Sequence, residues 1–328
     1  MHQLKTVTEV DIKMQNILDK KLIFVTGKGG VGKTTVATGL AWLAQSLGKK
    51  TLICEVEPKG DVANSFECGS TPFSKREVTK QLEAMSMDTE ASLREYLKLH
   101  LKLPVVGRIG PVAKAFEFVA TAAPGVREIL TVGKLCWEVK ENHYDIVIVD
   151  ASPTGHIVGQ LAAPEAINEL VKVGPIRSQT GWMLDILANP SKTGVVIVST
   201  AEEMPVNETL DLSQRIYSET KVKLVGIVVN QVLPELFSHQ EEELFEKLRI
   251  DPYFDKLKGV INGDPTPIFD AARLAVTLRR SRASHLERLR SEINKNVPLL
   301  YLPYRFNRSE GLKSVRTTAT YLSDELGF

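Results

Sequence analysis

The stretch Gly27-Lys28-Gly29-Gly30-Val31-Gly32-Lys33-Thr34-Thr35 decides the fold of this chain. It follows the apolar run 22–25 and precedes an amphipathic segment that begins near Val36. This order predicts a strand, a glycine-rich loop and a helix, which is the context of a phosphate-binding loop, or P-loop. Glycines let several backbone amides point at one phosphate chain, and the helix presents the positive end of its dipole to the same anion.

Two residues of the P-loop (residues 27–35) predict chemistry as well as shape. Lys33 supplies a cation for the β- and γ-phosphates of a nucleotide, and the hydroxyl of Thr34 is placed to bind Mg²⁺. An incidental glycine-rich turn is the alternative interpretation. The complete spacing of glycines, lysine and threonine between a strand and a helix argues against that alternative.

The composition excludes several classes of protein. Of the 328 residues, 43% are apolar and 25% are charged, and the formal net charge is +1. These values are typical of a globular protein and lack the basic excess of a nucleic-acid-binding surface. No apolar run approaches the length of about 18 residues that a membrane span needs, and the polar N-terminus lacks the apolar core of a signal peptide. We therefore expect a cytoplasmic protein that has no transmembrane span and no nucleic-acid partner.

The cysteines do not form a recognisable site. Cys54, Cys68 and Cys136 are widely spaced and odd in number, and none belongs to a CxxC motif. Neither a zinc site nor a disulfide framework is therefore indicated. We expect three reduced thiols.

The remaining patterns predict the architecture. Apolar runs with little alternation predict strands at residues 51–54, 82–88, 144–149, 195–198, 224–229 and 299–302. Helical patterns separate them, which favours an α/β fold with a mostly parallel sheet flanked by helices, as in P-loop NTPases. We expect one P-loop domain over residues 1–328. It contains a mainly helical insertion at about 72–140 and a C-terminal helical region at about 236–292.

Two weaker patterns add to the predicted architecture. Residues 10–18 favour a short helix before the first strand. The basic run at 278–290 is interpreted as a solvated helix face because Glu287 and Glu292 lie close to it.

Acidic residues follow two of the predicted strands. Asp150 closes the run 144–149, and an apolar run that ends in aspartate is typical of the Walker B strand, whose carboxylate reaches Mg²⁺ through a water. The acidic segment 55–61 follows the strand 51–54. Ligands of open α/β sheets bind at the carboxyl edge of the strands, so both segments are expected at the nucleotide site.

Several motifs resemble one ATPase family. A lysine directly after the first glycine of the P-loop resembles the ParA/MinD/NifH/ArsA group of dimerising ATPases. The segment Asp150-Ala151-Ser152-Pro153-Thr154-Gly155-His156 is similar to the DTAPTGH signature of the ArsA family, which includes the arsenite-pump ATPase and the targeting factor for tail-anchored membrane proteins. Further resemblances to this family are carried by residues 85–91, 124–128, 205–209 and 229–231.

The resemblance implies a role for individual residues. Lys28 is the signature lysine that reaches the phosphates of a partner subunit, and residues 57–66 and 150–156 correspond to switch I and switch II. The resemblance also implies that Asn230 contacts the adenine base and that Pro303 lies against the adenine ring. The implied phosphate cradle consists of Gly29, Gly30, Val31, Gly32, Lys33, Thr34 and Thr35.

Switch I departs from the family pattern. Glu57 stands where the family usually has aspartate, and its extra methylene shifts the carboxylate by about 1.5 Å. Asp61, where many members have asparagine, is the second acidic candidate. One of the two is expected to orient water and the other to assist Mg²⁺, with Glu57 favoured for water. The segment Glu55-Val56-Glu57 resembles that of an actinobacterial-type branch of the family.

The resemblance implies a Mg²⁺- and ATP-dependent ATPase that acts as a homodimer or with a paired paralogue. ATP binding and hydrolysis would be coupled to conformational change for a membrane-associated or protein cargo. The alternatives are an ATP-gated binding module with little hydrolysis and an arsenite or anion-pump ATPase subunit. A ParA-like partitioning role is disfavoured by the near-neutral charge. Met85 and Met87 are too few for a methionine-rich groove, so an apolar client would need a groove formed by residues 72–140.

Overall fold

The computed structural model of the chain describes residues 17–101, 125–170, 175–235, 237–261, 263–306 and 310–328. Within these ranges the strands, in chain order, are β1 (Leu22–Gly27), β2 (Thr51–Glu55), β3 (Arg76–Thr79), β4 (Leu82–Ser86), β5 (Ile146–Asp150), β6 (Thr193–Thr200), β7 (Leu224–Val232) and β8 (Leu299–Pro303). The helices are α1 (Lys33–Ser46), α2 (Asp61–Phe66), α3 (Thr89–Leu101), α4 (Val126–Lys140), α5 (Thr154–Leu170), α6 (Pro175–Leu187), α7 (Glu203–Glu219), α8 (His239–Leu248), α9 (Tyr253–Ile261), α10 (Thr266–Glu292) and α11 (Gly311–Leu326).

All eight strands belong to one sheet with the order β3-β4-β2-β5-β1-β6-β7-β8. β1 lies inside the sheet and pairs in parallel with β5 and β6. β3 and β4 pair antiparallel, and the other neighbouring strands are parallel. The carboxyl ends of the parallel strands therefore meet at one edge. The predicted α/β fold with a mostly parallel sheet is confirmed.

The sheet is buried on both faces, which explains why its strands read as continuous apolar runs. All six residues of β1 are buried. Its side chains alternate between two hydrophobic clusters, with Leu22 and Phe24 in one and Ile23 and Val25 in the other. The first cluster packs against α4 to α7, and the second packs against α1 and α11. Helices on both faces are the normal environment of a parallel sheet.

The edge strand β3 was not predicted. Its sequence Arg76-Glu77-Val78-Thr79 is mostly polar and none of its residues is buried, so it lacks the apolar signal of the other strands. The segment 72–140, predicted as mainly helical, contains α3 and α4 but begins with β3 and β4. Residues 102–124 of this segment, and most of the helix predicted at 10–18, lie outside the described residues.

The basic run lies on the long helix α10, within the region predicted to be helical. Its arginines contact acidic side chains, in the pairs Arg279–Glu235, Arg280–Glu242, Arg282–Glu202, Arg288–Glu292 and Arg290–Glu287. Such pairs at a surface contribute little to stability, but they do neutralise the run. The arrangement agrees with a solvated helix face.

A buried carboxylate holds α4 against the hairpin of β3 and β4. Glu138 is 1% exposed and accepts hydrogen bonds from Lys75 at 2.9 Å and His143 at 2.8 Å, while Lys134 lies 2.8 Å from its other oxygen. Burial alone would raise the pKa of Glu138, but the hydrogen bonds from Lys134 and Lys75 outweigh it and lower the pKa to about 2. The ionised form is therefore strongly favoured in the folded chain.

We expect Glu138→Gln to lower the free energy of unfolding by about 3 kcal/mol at pH 7, because it leaves buried lysines without their anion. The pKa of Glu138 is lower in the folded than in the unfolded chain. Its contribution is therefore complete above the unfolded-state pKa and is lost as the pH falls toward about 2. Urea unfolding of both proteins should show a difference that shrinks on acidification. Glu287→Gln, at an exposed ion pair, is the control and should change nothing measurable. A pH-independent difference would contradict the prediction.

Candidate functional site

The P-loop connects the end of β1 to the start of α1, and close backbone approach explains two of its glycines. Gly27 has a φ of +149°, and a Cβ there would lie 2.1 Å from the carbonyl oxygen of Val198 on β6. Gly32 has a φ of +95°, and a Cβ there would lie 2.3 Å from Nδ2 of Asn230 on β7. Larger residues are therefore excluded at both ends of the loop. The loop is seated against two neighbouring strands and directly precedes a helix N-terminus.

Lys33 begins α1 and crosses the loop. Its Nζ donates to the carbonyl oxygen of Lys28 at 3.2 Å. Burial lowers the pKa of Lys33, and the nearby carboxylate of Asp150 opposes that effect. A partly desolvated ammonium group is thus held inside the P-loop, where a phosphate chain would find a short-range cation.

Thr34 and Asp150 join the P-loop helix to the end of β5. The hydroxyl of Thr34 donates to Oδ2 of Asp150 at 2.6 Å. The second carboxylate oxygen, Oδ1, is buried and has no hydrogen-bond partner. Burial raises the pKa of Asp150 to about 6, although the Thr34 hydroxyl and Lys33 act in the other direction. An orphaned carboxylate oxygen beside a threonine hydroxyl fits Mg²⁺, which takes one or two protein oxygens and completes its shell with phosphate and water.

The two acidic candidates of switch I have different surroundings. Oε2 of Glu57 lies 2.8 Å from Nζ of Lys59, and the hydrogen bond to Lys59 is the main cause that lowers the pKa of Glu57. Lys33 of the P-loop and Ser152 of switch II act in the same direction, so Glu57 has neighbours in both segments. Asp61 begins α2 and lines a polar cleft of about 580 Å³ together with Thr34 and Thr35. Its charge also raises the pKa of Asp150.

Lys28 is paired within its own chain. Its Nζ lies 2.5 Å from Oε1 of Glu208 on α7, and the other oxygen of Glu208 accepts a hydrogen bond from the hydroxyl of Thr154 at 3.1 Å. Both members of the ion pair are partly exposed, with 29% and 33% of their side chains accessible. The pair therefore connects the P-loop to the first residue of α5, which belongs to switch II, but it is open to exchange with solvent or another anion.

Asn230 and Pro303 lie at the ends of the neighbouring strands β7 and β8. Nδ2 of Asn230 donates to the carbonyl oxygen of Val31 at 2.9 Å, so its amide supports the P-loop. Its Oδ1 accepts from the backbone amide of Gln231. Pro303 pairs with Val232 across the two strands. Both residues therefore lie near the carboxyl ends of their strands, and their contact with a base stays a prediction.

The site also contains residues that sequence reasoning did not select. Glu55 is buried at the end of β2 and accepts hydrogen bonds from the backbone amides of Gly60 and Asp61. Lys59 forms an ion pair with Glu57, and Glu208 forms an ion pair with Lys28. The sequence places these residues in the acidic segment 55–61 and in the motif at 205–209. Only the structure shows which of them are in contact.

The buried cysteines and the described metal-binding side chains do not form a complete site by themselves at this edge. Cys54 and Cys136 are fully buried, and burial raises the pKa of both thiols. Within the described residues, no three histidine, cysteine or acidic side chains are arranged to hold a metal ion by themselves. A Mg²⁺ site at Thr34 and Asp150 would therefore depend on oxygens of the bound nucleotide. None of the described helices is both long and apolar enough to cross a membrane.

Comparison with known proteins places the same residues in one family. A family model described as anion-transporting ATPase (ArsA ATPase) matches residues 20–184 and 176–254. The ATPase BagA of Mycobacterium tuberculosis is 32% identical over 232 residues, covering 67% of this chain and 68% of the relative. The ATPase get3 of Schizosaccharomyces japonicus is 29% identical over 259 residues, covering 67% and 78%. That of Neurospora crassa is 26% identical over 301 residues, covering 88% of both chains.

We expect Asp150→Asn to stabilise the nucleotide-free chain by about 1–2 kcal/mol at pH 8. Burial raises the folded-state pKa of Asp150 above its usual value, so ionisation destabilises the fold. This penalty is absent below about pH 4, grows as the pH rises from about 4 to about 6, and is complete above about pH 6. Asparagine carries no charge and keeps an acceptor for Thr34. Urea unfolding at pH 5 and pH 8 measures the effect, with exposed Asp211→Asn as control. Equal differences at both pH values would refute the explanation.

Proposed function

The chain belongs to the ArsA family of anion-transporting ATPases and is an ATP hydrolase, and on that premise we propose that it works as a Mg²⁺-dependent switch between two chains. The observation that carries this proposal is the P-loop lysine Lys28, which is partly exposed and, among the described residues, forms an exchangeable ion pair with Glu208. Two subunits, either identical or paired paralogues, would enclose the nucleotides between their sheet edges. The resulting movement of the switches would be passed to a protein or membrane-associated partner.

The phosphates are assigned to the P-loop and its helix. Backbone amides of residues 29–35 and the N-terminus of α1 face the triphosphate, and Lys33 neutralises its β- and γ-oxygens. Asn230 keeps the loop in place through Val31 and, with Pro303, lies at the end of the site where the base is expected. This assignment is supported by the hydrogen bond from Asn230, which holds the P-loop in place.

The metal-binding role is assigned to Thr34 and Asp150, with Asp61 on the same side of the cleft. Bound Mg²⁺ would neutralise charge on the β- and γ-phosphates. The support is the unpartnered oxygen of Asp150 and the shared lining of Thr34 and Asp61. Asp61 contributes through the electrostatic field of the cleft and through water.

Glu57 is the proposed residue that orients the attacking water. It lies between Lys33 and Ser152, beside the P-loop, whereas Asp61 lies toward Thr34. Oε2 of its carboxylate is engaged by Lys59, which lowers the pKa of Glu57 and makes it a weaker base. Separation of Lys59 from Glu57 would therefore strengthen the carboxylate as an acceptor for the attacking water. Such a separation would couple hydrolysis to a change in switch I.

The pairing of Glu57 with Lys59 also supports the second candidate function, an ATP-gated binding module with little hydrolysis. If the ion pair persists with ATP bound, the pKa of Glu57 stays low and its carboxylate remains a weak base toward water. The two functions differ in the ratio of phosphate release to ATP affinity. Tight ATP binding with negligible phosphate release would favour the module.

The proposed partner is a protein or apolar segment rather than arsenite. An arsenite site needs converging thiolates, and the two buried cysteines are held as thiols by their surroundings. Met85 and Met87 are buried, so they are not available to a client, and residues 102–124 of the expected groove lie outside the described residues. Exposed apolar side chains instead lie on α9 and α10, at Val260, Ile268 and Leu274.

We expect Lys28→Ala to lower kcat for ATP hydrolysis by at least about 100-fold, since cations supplied in trans accelerate phosphoryl transfer by about 10³ or more. ATP affinity should change by less than about threefold, because Lys33 and the loop amides remain. Exposed Lys80→Ala is the control and should retain full turnover.

A mixing experiment tests whether Lys28 acts in trans. Chains with Lys28→Ala still hold ATP, and chains with Lys33→Ala still offer Lys28. A mixture of the two should recover turnover that neither has alone. Rates that merely equal the sum of the two separate proteins would reject catalysis across subunits.

We expect Glu57→Gln to lower kcat by about 100-fold with ATP affinity preserved, as loss of a water-orienting base typically does. Asp61→Asn should mainly raise the Mg²⁺ concentration needed for half-maximal turnover. Steady-state kinetics at varied Mg²⁺, combined with ATP binding measurements, separate these effects. If Asp61→Asn abolishes turnover at saturating Mg²⁺ while Glu57→Gln is mild, the two assignments must be exchanged.

A further inference from the structure

We propose that Glu55 is a positioning residue for ATP hydrolysis, which fixes the turn of switch I that carries Glu57. The inference rests on the proposed role of Glu57 and extends it to a residue whose carboxylate contacts the backbone of switch I. Glu55 ends β2, two residues before Glu57, and is 2% exposed. It acts through the backbone of the segment that follows it.

Three donors surround the Glu55 carboxylate. The backbone amide of Asp61 donates to Oε1 at 2.8 Å. The amide of Gly60 and the hydroxyl of Ser86 donate to Oε2 at 3.3 Å and 3.0 Å. Ser86 ends the neighbouring strand β4 and shares a second hydrogen bond with the Thr71 hydroxyl at 2.7 Å. The carboxylate is thereby fixed to a framework that does not belong to switch I.

The turn between these contacts brings Glu57 to the site. The amide of Lys59 donates to the carbonyl oxygen of Glu57 at 2.7 Å, and Gly60 follows with a φ of +82°. The chain therefore reverses and carries the amides of Gly60 and Asp61 back over the end of β2. Glu55 closes this turn, which contains Glu57. Among the described residues, its carboxylate is the acceptor for both amides.

The electrostatics of the position argue against a purely structural role. The three donors are neutral, and Glu55 stands directly opposite Asp150 in the register of β2 and β5. Its charge contributes to raising the pKa of Asp150. A buried anion next to another carboxylate is unfavourable for stability, and a neutral acceptor would avoid that penalty. Such a residue is better explained by what it positions, since a displacement of about 1 Å at a reacting group can lower a rate by about 100-fold.

The test is Glu55→Gln in the full chain. Glutamine offers one acceptor oxygen where three donors converge, and its amide group faces one of them. We expect kcat to fall at least tenfold while the dissociation constant for ATP changes less than threefold, because the P-loop is untouched. Glu138→Gln is the matched control, since it also neutralises a buried carboxylate. It should lower the unfolding temperature yet leave kcat unchanged at a temperature where both proteins are folded.

A double variant separates this inference from the role of Glu57. If Glu55 acts through Glu57, Glu55→Gln combined with Glu57→Gln should be no slower than Glu57→Gln alone. An unchanged kcat in Glu55→Gln would overturn the inference and leave the Glu57 role standing. Additive losses, or normal turnover in Glu57→Gln, would overturn positioning through Glu57. Should Glu55→Gln fail to fold, Ser86→Ala decides, with an expected two- to fivefold fall in kcat and rejection if kcat is unchanged.

Discussion

The hydrogen bond from Thr34 to Asp150 is the contact on which the arrangement of the site depends. It joins the first turn of α1 to the end of β5, and β5 lies beside β1, whose end leads into the P-loop. The loop is therefore closed at both ends by elements that are themselves fixed in the sheet. The same contact satisfies only one oxygen of a buried carboxylate. The sheet edge thus combines a well-supported phosphate loop with an acidic group that is destabilising until a cation reaches it.

The architecture was largely predictable because strands that are buried on both faces appear in the sequence as continuous apolar runs. β1, β5 and β6 are continuous apolar runs, and alternate residues of β1 enter different clusters. The exceptions have physical causes. β3 is a short polar edge strand with one partner, so its sequence has no need to be apolar. Helix α7 (Glu203–Glu219) contains Pro205, which is tolerated because it lies within the first turn.

The site was predictable where a motif is local and unpredictable where a contact spans the chain. The P-loop and Asp150 each lie in a short local pattern, and the structure brings Thr34 and Asp150 into contact. The pairing of Lys28 with Glu208 joins residues 180 positions apart, and Asn230 reaches Val31 over 199 positions. No periodicity encodes such contacts. Glu55 was overlooked for another reason: a glutamate beside Glu57 reads as one more surface acid, and only its burial distinguishes it.

The acidic groups of the edge differ in how easily they can leave their partners. Lys28–Glu208 and Lys59–Glu57 are partly exposed ion pairs, and such pairs contribute about 1 kcal/mol or less. Phosphate oxygens also form charge-assisted hydrogen bonds with lysine, so a triphosphate competes with carboxylates for such cations. Under the proposed function, Lys59 leaves Glu57 for a phosphate, and Lys28 leaves Glu208 for a phosphate of the second chain. Glu55 forms no ion pair with a lysine among the described residues and stays bound to backbone amides. Switch I can then release its reactive carboxylate without losing the turn that aims it.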